Sequence, residues 1–153
     1  MPFTGSNDFT TGRANPVTPA GAELASMRFT LAMATADLAL NSIGQIGILP
    51  AGCIPVQLLV DGTDMDSGAA AMVLNVGILD AAGTALSTAA ADGGAAWGST
   101  TAVNTAFQQQ ILSQPMATVT RSDVDRKIGI KVATAPTVAV AGTLGVTLIY
   151  RSA

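Results

Sequence analysis

The feature that most constrains this chain is a period of two. Met27, Phe29, Leu31 and Met33 alternate with Arg28, Thr30, Ala32 and Ala34. Successive side chains of a strand point to opposite faces, so this pattern predicts a strand with one buried side. The rhythm returns at Ile54, Val56, Leu58 and Val60, at Met72, Leu74, Val76 and Ile78, at Ile128, Ile130 and Val132, and at Leu144, Val146, Leu148 and Tyr150. Ile43, Ile46 and Ile48, set among Gly44, Gln45 and Gly47, give a glycine-weakened strand. Pro50-Ala51-Gly52, Asp61-Gly62, Asp80 to Thr84 and Pro136 to Gly142 are turn signals between these runs. Pro55 cannot donate to a ladder, which places it at a sheet edge or among the first residues of its strand.

Two segments are ambiguous. Val103, Phe107 and Ile111 are spaced i, i+4 with Gln108 to Gln110 between them, so Thr101 to Leu112 reads as a short helix, with a strand as the alternative. Met116 to Thr120 reads as a short strand, and Ala85 to Thr88 as a weak one. The total is seven or eight short strands, with turn spacings suited to a sandwich or barrel and no βαβ rhythm. The expected fold is all-β and antiparallel, a sandwich that is jelly-roll-like or barrel-like, with at most one short helix.

Residues 1–24 break the pattern. Pro2, Pro16 and Pro19 each fix φ and remove a donor, and only Phe3, Phe9 and Val17 are sizeable apolar groups before Leu24. This stretch reads as an extended N-terminal arm, with residues 25–153 as a single β-sandwich domain. A disordered terminus is the plainer account. The functional account is an arm that orders on a partner, with Phe3 and Phe9 as anchors.

Composition then removes whole classes of chemistry. There is no histidine, so neither Ser-His-Asp catalysis nor an imidazole metal site is available. The one cysteine, Cys53, cannot close an intrachain disulfide and reads as a small buried hydrophobe. Seven basic residues and a net charge of −3 give no electrostatic footprint for nucleic acid. Mean hydropathy is positive, but 28 Ala are scattered through the chain and no run reaches the roughly 18 apolar residues of a membrane span. Met1-Pro2-Phe3-Thr4 has no basic or apolar signal region. No catalytic residues, no cofactor and no enzyme activity are expected.

The remaining polar clusters are few. Asp61, Asp64 and Asp66 form the one group of oxygen ligands and a candidate Ca²⁺ loop. The spacing is not that of an EF-hand, because the twelfth position from Asp61 is Met72. A polar loop whose aspartates bond nearby backbone is the plainer reading. Asp123 and Asp125 stand before Arg126 and Lys127, which predicts surface ion pairs. Trp97 sits in an Ala/Gly loop and is either a plug over the end of the sandwich or an interface anchor.

Several stretches also carry a family resemblance. They are Leu49-Pro50-Ala51-Gly52-Cys53 running into Val56 to Asp61, Met72 to Asp80, Arg126 to Pro136, and Ala141 to Arg151. Over residues 43–151 the chain resembles small structural proteins of tailed bacteriophages, in particular β-rich capsid decoration (cement) proteins. The resemblance implies a virion protein made in the bacterial host cytoplasm, placed on the exterior of the phage head, with the major capsid protein as partner. It implies self-association, a homotrimer favoured and a dimer as runner-up, and no nucleic-acid or membrane partner. The body would cap a junction of capsomers while the arm reaches along the lattice, and Phe3, Phe9, Pro16, Pro19 and Trp97 would make the contacts. A tail-tube, baseplate or head-fibre subunit, or a carbohydrate-binding β-sandwich module, are the other readings.

Overall fold

The computed structural model describes residues 1–153. The alternating segments form β1 (Leu24–Met33), β2 (Ile43–Leu49), β3 (Cys53–Gly62), β4 (Val73–Ile78), β5 (Gly98–Ser99), β6 (Phe107–Ile111), β7 (Arg126–Thr134) and β8 (Gly142–Ser152). The one α-helix is α1 (Gln114–Ala117). Two four-stranded sheets result, in the orders β1-β8-β3-β6 and β2-β7-β4-β5, with every strand pair antiparallel. The fold is an all-β sandwich.

Register explains the core. Met27, Leu148, Leu58 and Ile111 lie opposite one another across the first sheet, and Phe29, Val146 and Val60 form the next inward row. Ile128, Ile130 and Val132 of β7 supply the facing layer with Leu74 and Val76 of β4, all fully buried. A fully buried side chain of this size contributes about 1.5–3 kcal/mol relative to exposure, so these rows dominate stability.

One row of the second sheet is unusual. It runs Gly44, Ile130, Val76, Gly98, so glycine occupies both edge strands and large side chains the two central ones. Each edge therefore leaves an inward space that something else fills.

Pro55 lies in β3, which is a central strand. It pairs only with β8, at a bulge, and β6 joins further along at Leu58. No ladder donor is needed on its other side.

The structure corrects three elements. Phe107–Ile111 is a strand and not a helix. The spacing of Phe107 and Ile111 by four suits both periods, and pairing with Leu58 to Gly62 of β3 decides it. Conversely, the strand expected at Met116 to Thr120 is replaced by α1. Ser113 caps it, its Oγ accepting from Met116 N at 3.3 Å, with a proline in the first turn. Ala85 to Thr88 forms no strand, only a bridge from Leu86 to Leu79.

Candidate functional site: the N-terminal arm and the β1–β2 seam

The sandwich has two open sides, where the edge strands of one sheet meet those of the other. Residues 1–13 lie across the side between β1 and β2. The arm enters with a parallel bridge: Phe3 N donates to Ile43 O at 3.2 Å, and Ile43 N donates to Met1 O at 3.0 Å. This sets the Phe3 ring on Gly44, where a Cβ would stand 2.6 Å from the ring edge. Only glycine leaves room for it.

Thr4 is fixed next. Its N–H donates to Asp37 Oδ1 at 2.7 Å and its hydroxyl to Asp37 Oδ2 at 2.9 Å. Asp37 sits in the short 3₁₀ turn between β1 and β2, is fully buried, and also accepts from Ala34 N at 3.0 Å. A buried carboxylate is stable only with such partners, and the arm supplies two of the three.

Asn7 joins the sheets. Its Nδ2 donates to Thr30 O of β1 at 2.9 Å and to Ile46 O of β2 at 2.8 Å. Its Oδ1 accepts from Phe9 N at 3.0 Å and Thr10 N at 2.9 Å, turning the arm back on itself. All four hydrogen-bonding positions of the amide are used. Phe9 then meets the Phe29 ring edge-on, with centroids 4.8 Å apart and planes at 87°. Such pairs add about 0.5–1.5 kcal/mol beyond burial.

The rest of the segment runs to β1. Pro16 and Pro19 are buried on the body, and Tyr150 Oη donates to Val17 O. Burial, and then the nearby Cys53, pushes the Tyr150 phenol up to about 12. Of the residues singled out for contact, Phe3 and Phe9 are thus half-buried against this chain's own core, and Pro16 and Pro19 are buried.

Trp97 lies elsewhere and is fully buried. Its backbone N donates to Val76 O at 2.7 Å and its Nε1 to Asp92 O at 3.0 Å. It packs within the hydrophobic core of the sandwich.

Nearby, Arg126 corrects the surface-pair expectation. It is buried, and its guanidinium donates to Asp92 Oδ1 (3.3 Å) and to the carbonyls of Ala91 (3.1 Å), Cys53 (3.2 Å) and Thr120 (2.9 Å). Asp125 accepts from Ala51 N at 2.8 Å instead, and Asp123 pairs with Arg121 at 3.3 Å on the surface. The planar fork of arginine suits a role in tying several loops together. Burial, then Asp125, pushes the Cys53 thiol up, in keeping with an inert packed cysteine.

The candidate Ca²⁺ loop is taken apart by its partners. Asp61 forms a two-point pair with Arg28, with Nη2 to Oδ1 at 2.7 Å. Asp64 Oδ1 accepts from Asp66 N at 3.1 Å. Asp66 is buried; burial pushes its carboxyl up, but bonds from Val138 N, Thr137 Oγ1 and Gly68 N outweigh this and hold it well below the usual carboxylate range. The three carboxylates do not converge, and no group of three or more acidic or cysteine side chains forms a metal site. They organise loops.

Sequence reasoning missed Asn7, Asp37 and the two edge glycines. Asn7 and Asp37 have no periodic signature, since their partners are 23–39 residues away. Gly44 was legible only as a weak point in a strand.

No protein-family model matches the chain, and no curated protein matches it significantly. Among solved structures, a chain in the capsid of Ralstonia phage GP4 superposes with a TM-score of 0.74 at 23% identity, covering 95% of this chain and 96% of that one. A chain of the cyanophage Pam1 capsid asymmetric unit gives 0.54 at 19% identity, with 92% of each covered. At these identities the likeness is one of fold. It spans almost the whole length on both sides.

Proposed function

We propose that the protein is a virion structural component, a capsid decoration protein that binds the assembled phage head and holds it against internal DNA pressure. The observation that carries this reading is the end-to-end fold match with a chain of the GP4 capsid, in which neither partner leaves a large part unmatched. The Pam1 match supports it over the same extent. Composition agrees. Only 11% of residues are charged, and Ala and Gly side chains lose little rotamer entropy when a surface covers them.

The mechanism is linkage. A protein that binds the assembled shell and not its separated parts stabilises it by RT ln(1+[L]/Kd), about 2.7 kcal/mol per site at 100-fold excess over Kd. Repeated over a lattice, that opposes rupture. A trimer seated at threefold junctions is favoured, with a dimer at twofolds second, because multivalency raises occupancy without new contacts. The body caps the junction on the outer surface, and residues 1–24, which lie on this chain's own body when it is alone, reach neighbours when released from it.

The test mixes the purified full chain with undecorated heads, sediments them, and compares the heat at which they release DNA. Co-sedimentation with a raised release temperature is expected. Absence from the pellet, or polymerisation into tubes without any head present, overturns the reading in favour of a tail component.

A further inference from the structure

We infer that the seam between β1 and β2 is a binding site for residues 1–13 of a second copy of this chain, so that crowded copies exchange arms. The exchange stands on the fit of arm and seam and does not require the capsid reading, so the two can fail separately.

Three observations carry it. First, the seam demands an occupant, but nothing in it demands an occupant from the same chain. Asp37, the Thr30 and Ile46 carbonyls and the space over Gly44 are all satisfied by side chains and backbone of residues 3–9. A neighbour's arm would make identical bonds. The own arm also leaves a cleft of about 300 Å³ beside Phe3, bounded by Ser6, Ile43 and Gln45, so its seat is not sealed.

Second, the connection is built to re-route. Gly12 (φ 74°) and Gly21 (φ 63°) bracket the connector to β1, both in the left-handed region that favours glycine, and neither would bring a Cβ within 4 Å of any atom. Such positions take a new direction at no steric cost. Once Pro16, Pro19 and the Val17–Tyr150 bond are released from the body, residues 13–23 reach about 35 Å when extended, enough to cross to an adjacent copy.

Third, this segment carries bare apolar surface. Met1, Val17 and Leu24 are exposed by 63%, 61% and 63%, which places apolar side chains at both ends and the middle of the arm and connector. In an exchanged pair the two connectors run past each other and cover Val17 and Leu24.

The bonds of the seam are the same in either arrangement, while lifting the connector gives up the Tyr150–Val17 bond and the burial of Pro16 and Pro19, so the closed form starts ahead and concentration sets how far exchange competes. A short tether presents its own arm at roughly millimolar effective concentration, so the closed form dominates in dilute solution and exchange grows as copies crowd.

The test uses two full-length chains with one substitution each. Pro2→Cys is placed on one and Ile43→Cys on the other, since these residues are bridged in the structure and the native Cys53 is buried. Mixed under mild oxidation, they are expected to form a heterodimer joined between positions 2 and 43, read by peptide mass. Below saturation its yield rises roughly tenfold for a tenfold rise in protein. Adding Phe3→Ala to the Pro2→Cys chain should remove that heterodimer and leave random Pro2→Cys homodimers unchanged. If a single chain carrying both cysteines closes on itself while the mixed chains never join, the inference is overturned. If the double variant does not close, energy transfer decides, with a donor at residue 1 of one chain and an acceptor at Thr84 of another, across a hollow both residues line. Transfer that grows with concentration supports exchange, and none at any concentration overturns it.

Discussion

The row Gly44, Ile130, Val76, Gly98 ends in glycine at both edges of one sheet, and the two edges are completed in different ways. At β5, the space over Gly98 is taken by Ile111, which belongs to the facing sheet's edge strand and is itself paired to Leu58 of β3. At β2, the space over Gly44 is taken by Phe3, from a segment that belongs to neither sheet. One edge is closed by the core and the other by a staple. The difference teaches that equal packing need not mean equal permanence: Ile111 cannot leave without opening a sheet, and Phe3 can.

The strongest way to break this comparison is to remove both fillers in turn. Ile111→Ala should cost about 3 kcal/mol of global stability, seen in urea as one transition with an unchanged slope. Phe3→Ala should cost clearly less, because the ring is half-buried and its loss can be confined to an opened arm. Equal costs would mean that the two edges are equivalent.

Asn7→Asp comes next. It keeps the two accepted bonds and loses the two donated ones, setting a charge against the Thr30 and Ile46 carbonyls. A loss of about 2 kcal/mol is expected. Amide exchange should rise at Phe3 and Ile43 while Trp97 and Thr100 stay protected; uniform exchange would show that the arm side opens no sooner than the other.

A pH measurement sharpens the connector's part. Tyr150 holds its proton in the fold up to about 12, above its ordinary value near 10. Burial, and then the nearby Cys53, disfavours the ionised phenol in the fold, so the contribution of Tyr150 is complete below about pH 10 and is lost as pH rises toward 12. Tyr150→Phe should flatten the alkaline part of the stability profile, and an unchanged profile would show that ionisation of this phenol is not linked to folding. The smallest effect belongs to Arg28→Ala. It breaks an exposed pair with Asp61 and should cost less than about 1 kcal/mol, falling further in salt.

The long strands were legible because burial on one face writes a period of two into the chain. β1, β4, β7 and β8 follow from that alone. The failures lie where a period is too short to be decisive, as at Phe107 and Ile111, or where a local cap outweighs it, as at Ser113 and Pro115. The arm was legible as an interruption, but its seat was not. Asn7 and Asp37 act through single bonds to distant backbone, and no local pattern encodes a distant carbonyl. Arg126 likewise looked like one charge in a surface cluster, since nothing near it in sequence tells of Cys53 O or Asp92.

The pairing of β1 with β8 has a consequence for how the chain is made. β1 is an edge strand whose one sheet neighbour is β8, and Val17 is tied to Tyr150 across 133 residues. During synthesis β1 and the arm must therefore wait until β8 has left the ribosome. Non-local pairing of this kind folds slowly and exposes unpaired edges meanwhile. The same wait is also a check on completeness. A chain that stops short of β8 has no partner for β1, cannot close the seam, and would not present an ordered arm to any neighbour.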